Sequence, residues 1–151
     1  MGLRAGVETD VERVALLYKS YFKMHTLFEQ PLDEIALYVK EQLKKHTLLV
    51  HDEAGMITAA VMLVTKNTHG THKLWMLRHF AFTRADFGEE LLKEAERQVR
   101  EGSKTAKVEL RIAESEEGIN FFRMQGYEQE GCLRNHYRWG ERCYVLSKSF
   151  S

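Results

Sequence analysis

The chain has 151 residues, 44% hydrophobic and 29% charged, with 22 basic against 22 acidic side chains and a formal net charge of zero. That length suits one α/β-sized domain able to bury roughly two-thirds of its unfolded surface, and the neutral balance argues against a phosphate-tracking nucleic-acid surface or an anionic membrane as partner. No apolar run approaches the ~20 residues of a membrane span, and the N-terminus shows no signal-peptide core, so a cytoplasmic protein is expected.

Thr9-Asp10-Val11-Glu12 has capping-box spacing and predicts a first helix, with Val11, Val14, Ala15, Leu17, Tyr18 and Phe22 following at helical intervals. A loop over Met24 to Pro31 leads to a second helix across Leu32 to Lys45. Thr47 to Asp52 reads as a short strand, turned by Glu53-Ala54-Gly55 into a longer one over Met56 to Thr65. The polar stretch Lys66 to His72 is expected as a connector. Its two histidines, without a cysteine or carboxylate beside them, do not make a metal site, and none is expected. Lys73 to Phe82 reads as the next strand, passing through Thr83 to Gly88 into a third helix over about Phe87 to Glu101, ending near Gly102.

Lys107 to Ile112 alternates, with Val108, Leu110 and Ile112 on one face and Lys107, Glu109 and Arg111 on the other. A short helix over Glu116 to Met124 ends at Gly126, and Tyr127 to Tyr137 with Arg142 to Phe150 read as a closing hairpin. A two-residue turn at Trp139-Gly140 would face Arg138 with Glu141 and Cys143 with His136. Cys132 and Cys143 would then lie about 13 Å apart, too far for a disulfide, and both are expected as reduced core thiols. The whole is one mixed α/β domain over residues 1–151, without linker, repeat or low-complexity tract.

The strand-to-helix passage at Trp75 to Arg100 is chemically suggestive. A strand entering a helix N-terminus offers unpaired N–H groups and a positive dipole end, a ready site for a phosphate. Asp86 stands in that turn. Asp86-Phe87-Gly88-Glu89 has capping-box spacing, so its carboxylate is a helix cap, an occupant of the anion site, or both.

Three local patterns in this order resemble the GNAT superfamily of acetyl-CoA-dependent N-acetyltransferases. They are the opening Leu3-Arg4-Ala5-Gly6 with its helix, Phe80-Ala81-Phe82 followed by a turn and Gly88-Glu89-Glu90-Leu91-Leu92, and Gly118-Ile119-Asn120-Phe121-Phe122 through Gly126-Tyr127. The tail around Gly131 to Gly140 is similar to peptide N-terminal acetyltransferases of that group. The resemblance implies a mixed, mostly antiparallel sheet of about seven strands flanked by four helices. It implies acetyl-CoA as cosubstrate and a primary amine, small molecule or peptide, as acceptor, attacked directly. Oligomeric state stays open, with a homodimer as one option.

The family's diphosphate loop, Gln/Arg-x-x-Gly-x-Gly/Ala, falls on Thr83, Asp86 and Gly88, so one of three positions is kept, with Arg84 as a displaced cation. The implied cosubstrate contacts are Phe80, Ala81, Phe82, Thr83, Arg84, Phe87, Gly88, Glu89 and Phe122. The family's tyrosine acid falls on Phe122, which cannot donate a proton, and an associated asparagine falls on Ser115. Val108-Glu109-Leu110-Arg111 resembles a strand whose glutamate is the base, which makes Glu109 a candidate beside the plainer reading of a solvated strand face. His79, sharing a face with Leu77 and Ala81 by alternation, is either catalytic or a satisfied core histidine. Arg78, on the opposite face with Met76 and Phe80, could hold an acidic substrate. By the same analogy Tyr21, Tyr137, Trp139 and the Met24 to Pro31 loop line an acceptor groove or pack the core and rim. The rival to an enzyme is a binding or regulatory module of the same fold without turnover.

Overall fold

The computed structural model describes residues 2–23, 25–116 and 118–151. In chain order it contains β1 (Leu3–Ala5), α1 (Val11–Tyr21), α2 (Leu32–Leu43), β2 (Thr47–Glu53), β3 (Met56–His69), β4 (His72–Phe82), α3 (Ala85–Glu101), β5 (Thr105–Ala113), α4 (Ile119–Met124), β6 (Glu128–Arg134) and β7 (Arg142–Phe150). The strands form a seven-stranded sheet in the order β1-β2-β3-β4-β5-β7-β6. The element types and their order are those read from the sequence. Met24 of the expected loop and Glu117 of the expected fourth helix lie outside the described residues.

Two compact units make up the chain, Met1–Val64 with Arg78–Arg97, and Thr65–Leu77 with Gln98–Ser151. In the first, β1, β2 and β3 pair antiparallel, with Leu3 opposite His51 and Val50 opposite Ala60. β3 is buried from Ile57 to Val64 without alternation, the pattern of a strand covered on both faces. Val14, Ala15, Leu17 and Tyr18 of α1 and Ile35 and Val39 of α2 supply the helical side of this core. Gly6, buried, donates its N–H to Leu48 O at 2.7 Å. A Cβ added there would lie 2.5 Å from Leu48 Cγ. Gly6→Ala is therefore expected to cost about 2 kcal/mol through overpacking, measurable as a lowered urea midpoint with an unchanged m-value.

α1 enters differently from the capping-box expectation. A 3-10 turn over Glu8–Asp10 precedes it, and no side-chain cap bond forms at its start. The Asp10 carboxylate instead accepts the Val7 N–H at 2.8 Å and receives Arg4 at 2.7 and 2.8 Å and Arg13 at 2.7 Å. Arg4 also reaches Asp52 at 2.9 Å. This network joins β1, α1 and β2.

In the second unit, β4 and β5 run parallel from His72 opposite Thr105 to Met76 opposite Glu109, and both strands continue past that register. β5 and β7 are antiparallel from Ala106 opposite Phe150 to Ala113 opposite Cys143. The closing hairpin departs from the expected register. Its ladder ends at Arg134 opposite Arg142, and Cys143 faces Leu133, not His136. Asn135, at φ +53°, turns the chain early: its N–H bonds Glu141 O at 3.0 Å and its side chain accepts the Gly140 N–H at 2.7 Å. The expected Arg138–Glu141 pairing survives as a turn with an ion pair at 3.1 Å. Both cysteines are free, but only Cys143 is buried, and Cys132 is exposed. Adjacent registers put them on opposite sheet faces, so direction, more than distance along the sheet, keeps them apart. Burial pushes the Cys143 thiol above its ordinary value.

Candidate active site

The site begins where β4 ends. Thr83 follows the strand and ties back to β3, its N–H donating to Thr58 O at 2.8 Å and its hydroxyl to the same oxygen at 3.3 Å. α3 starts at Ala85, two residues earlier than read from the sequence, and Gly88 N–H already closes a helical bond to Arg84 O at 3.1 Å. The amides expected at Gly88 and Glu89 as diphosphate donors therefore move one turn back, to the Ala85 to Phe87 stretch.

Arg84 and Asp86 are bound to each other. The guanidinium donates to the carboxylate at 3.0 and 2.5 Å and lies 4.4 Å from the centre of the Phe87 ring. Both are exposed. Arg84 holds the Asp86 carboxyl below the usual carboxylate range, with the amides of Asp86 and Phe87 adding to the effect. The carboxylate thus stands at the helix-start amides, where an external anion would stand, and it occupies the nearest cation as well. Removing it leaves both free. Asp86→Gly is expected to tighten acetyl-CoA binding several-fold by calorimetry; equal or weaker binding would show that Asp86 does not compete with the diphosphate.

Beneath this turn lies a buried histidine that the sequence reading passed over. His51 is 2% exposed. Its Nε2 meets Glu90 Oε2 at 2.6 Å, its Nδ1 meets Thr58 Oγ1 at 2.8 Å, and its ring lies 4.7 Å from that of Phe87. The Thr58 hydroxyl donates to His51 O at 3.1 Å, so its oxygen is left to accept from Nδ1. These contacts pin the first turn of α3 onto β2 and β3. The one mark in the sequence is a histidine directly after the apolar run Leu48-Leu49-Val50. Next to Thr83, a cavity of about 510 Å³ is lined by Leu16, Leu17, Met56 and Ile57, with Arg13 and Ser20 at its edge. Arg13 is already bonded to Asp10 and to Gly55 O, so the cavity offers apolar contact more than charge.

Further back along β4, His79 has φ +55°, a left-handed conformation rare for a side-chain-bearing residue in a strand. It breaks the expected alternation. Arg78 and His79, expected on opposite faces, both reach α2: Arg78 donates to Gln42 Oε1 at 2.9 Å, and His79 Nε2 lies 2.7 Å from the Tyr38 hydroxyl. Tyr38 and Gln42 are one helical turn apart and share a face. Around the imidazole stand Tyr18, Phe22, His25, Phe28 and Tyr38, with ring centroids 5.0 to 6.2 Å away. Burial, reinforced by His25 and Arg78, pushes the His79 pKa down to about 3. Tyr21 of α1 continues this wall onto Phe82, at 5.4 Å, and Phe82 meets Phe80 at 6.1 Å. Ala81 is fully buried between those two.

Glu109 and Phe122 belong to the second unit. Glu109 is half-buried on the charged face of β5, 3.8 Å from Lys107, whose ammonium is 2.5 Å from Glu130. Phe122, 2% exposed, packs edge-on against Phe121 and Tyr127. Ser115 donates to Glu141 at 2.5 Å and receives Arg138 at 3.1 Å. Tyr137 and Trp139 are exposed at the tip of the closing hairpin.

No family model and no curated protein sequence matches the chain. Solved structures do. A Desulfovibrio desulfuricans protein assigned to the GNAT acetyltransferase family superposes with a TM-score of 0.72 at 16% identity, over 97% of this chain and 96% of that one. An aminoglycoside 6'-N-acetyltransferase complexed with coenzyme A gives 0.74 at 14% identity, over 99% and 97%. The fold is the GNAT fold. Naa50 of Arabidopsis thaliana, in complex with the bisubstrate analogue CoA-Ac-MVNAL, gives 0.75 at 14% identity, over 98% and 97%. Across pairs this divergent the GNAT fold is retained over nearly the full length of both chains. No described helix is long and apolar enough to cross a membrane.

Proposed function

We propose that the protein is a GNAT-type N-acetyltransferase that moves an acetyl group from acetyl-CoA to a primary amine. The observation that carries this reading is the junction at the end of β4, a strand entering the 17-residue α3 with an arginine and a run of helix-start amides at its mouth, set in a fold whose solved members include enzymes holding coenzyme A. Amides of Phe80, Ala81 and Phe82 seat the pantetheine arm and polarise the thioester carbonyl. Arg84 and the amides from Ala85 to Phe87 form the diphosphate end, with Thr83, Gly88 and Glu89 flanking it. The amine nitrogen attacks the carbonyl carbon, the C–N bond forms, and the C–S bond breaks with its electron pair going to sulfur. Glu109 is the candidate base, Arg78 a candidate contact for an acidic acceptor, and Phe122 a packing contact for the cosubstrate that cannot act as acid.

The acceptor is a small molecule or a peptide. A panel of the aminoglycoside kanamycin A, the peptide Met-Val-Asn-Ala-Leu and the polyamine spermidine, incubated with acetyl-CoA and read by product mass, tests the reading. Acetylation of any one supports it. No acetylated product together with acetyl-CoA binding favours a module without turnover, to which the Arg84–Asp86 pair and Phe122 both point. No acetyl-CoA binding at all overturns the acetyltransferase reading and favours the module.

A further inference from the structure

Three routes run from the buried imidazole of His51 to the start of α3. The first goes through β3: Nδ1 meets Thr58 Oγ1 at 2.8 Å, and the Thr58 carbonyl accepts both the N–H and the hydroxyl of Thr83, at 2.8 and 3.3 Å. The second goes through a ring. Phe87 lies 4.7 Å from the imidazole, and the Arg84 guanidinium lies 4.4 Å from the centre of that same phenyl ring, a cation on an aromatic side chain. The third reaches one turn into the helix, where Nε2 meets Glu90 Oε2 at 2.6 Å. Phe87 and Glu90 stand three residues apart and share a helix face, so one side chain of β2 engages both. Thr83, Arg84, Phe87 and Glu90 bracket the amides from Ala85 to Phe87, and all belong with His51 to the first unit. Stability alone does not account for this arrangement. His51 is 2% exposed, whereas the Glu90 side chain is 59% exposed. A bond to so open a carboxylate stabilises a fold little, and the imidazole gives up its own hydration to make it. Glu53, 4.0 Å from Nδ1, is as open. What these contacts do fix is where the first turn of α3 stands on β2 and β3. Helix-start amides serve an anion only when they are held in place to meet it.

We infer that His51 is a positioning residue for the diphosphate of the cosubstrate, holding the helix-start amides of α3 and the Phe87 ring beside Arg84 in the geometry the anion meets. This rests on the acetyltransferase reading above, which supplies acetyl-CoA as the anion. His51 acts through Thr58, Phe87 and Glu90, and no proton is transferred. An ionised carboxylate only accepts hydrogen bonds, so Nε2 carries a hydrogen and donates it to Glu90.

Acetyl-CoA affinity, measured by calorimetry on the intact chain, tests it. Glu90→Leu and His51→Leu are each expected to weaken binding about tenfold, the scale of one charge-assisted hydrogen bond. Losing a negative charge near a diphosphate would by itself tighten binding, so weakening in Glu90→Leu reports position and not charge. The double variant is expected to bind no more weakly than either single one, because both remove the same tie. Glu90→Gln, whose side-chain carbonyl still accepts from Nε2, stays within about threefold of the parent. Thermal unfolding checks that each variant is folded, and the variants at the exposed Glu90 decide the matter if His51→Leu is not. Parent-like binding in Glu90→Leu, or equal loss in Glu90→Gln, overturns the positioning role and leaves the acetyltransferase reading standing. So does a double variant weakened about a hundredfold. A parent that binds no acetyl-CoA overturns that reading and this inference together. A second measurement needs no ligand. Long-range proton–nitrogen correlation on histidine-labelled protein is expected to show a hydrogen on His51 Nε2 at pH 7, and a bare Nε2 would overturn the inference whatever the affinities.

Discussion

Replacing Asp10 by alanine is expected to destabilise the protein by about 3 kcal/mol, the lower end of what breaking a buried ion pair costs. The Asp10 side chain is 1% exposed while Arg4 and Arg13 are 35% and 41% exposed, so the stranded arginines can rehydrate and the full penalty is not reached. The Val7 N–H also loses its acceptor. For a chain of this size the shift in Tm is about 6 to 12 °C. Asp10→Asn keeps an acceptor for Val7 and should lose about half as much. The pH dependence has a definite sign. Arg4 first, then the Val7 amide and Arg13, hold the folded carboxyl below its ordinary value of 3.8. Stability from this group is present above that value and is lost as pH falls through the lower, folded one. Acid unfolding of the parent should therefore be steeper than that of Asp10→Ala, and parallel acid curves would show that the network contributes nothing.

Gly88→Leu is expected to abolish the stabilisation that acetyl-CoA confers. Helical side chains tilt toward the N-terminus and cover the preceding turn, here Arg84 to Phe87, where the helix-start amides lie. A leucine would stand between them and the diphosphate. Acetyl-CoA at 100 times its Kd should stabilise the parent by about 2.7 kcal/mol, a rise in Tm of about 5 to 11 °C. The variant should show no rise. Gly88→Ala, which reaches less far, should keep part of it. Since Gly88 is buried, the unliganded Tm of each variant must be measured first. A folded Gly88→Leu protein with an undiminished acetyl-CoA shift would remove the junction from the binding site.

Elements with a strong local period were legible in the sequence. β5 shows it best: Val108, Leu110 and Ile112 are buried while Lys107, Glu109 and Arg111 face outward, because a half-covered strand must alternate. α4 ends where Gly126, at φ +91°, was expected to end it. Features set by distant partners were not legible. β3 runs on to His69 through residues that are all exposed from Thr65 onward, so no burial pattern marked the extension. The φ of +55° at His79 leaves no trace in a non-glycine residue, and with it went the expectation that Arg78 and His79 face apart. The Asp10 network joins Arg4 to Asp52, 48 positions on, and the hairpin register depends on one turned asparagine.

The candidate site divides in the same way. The strand-to-helix junction was visible as a change of period at Thr83. The mutual pairing of Arg84 and Asp86 was not, since either residue alone suggested an opposite effect on an anion. The Tyr38–His79 contact carried no signal either, because the two residues lie 41 positions apart.

The most direct test of acetyl-CoA use is native mass spectrometry of the intact chain with acetyl-CoA and, in parallel, with acetyl-CoA plus the amine panel. The acetyltransferase reading predicts one acetyl-CoA per chain, replaced by CoA as an acetylated amine accumulates. A chain that stays unliganded at saturating acetyl-CoA, with every amine unmodified, would contradict it.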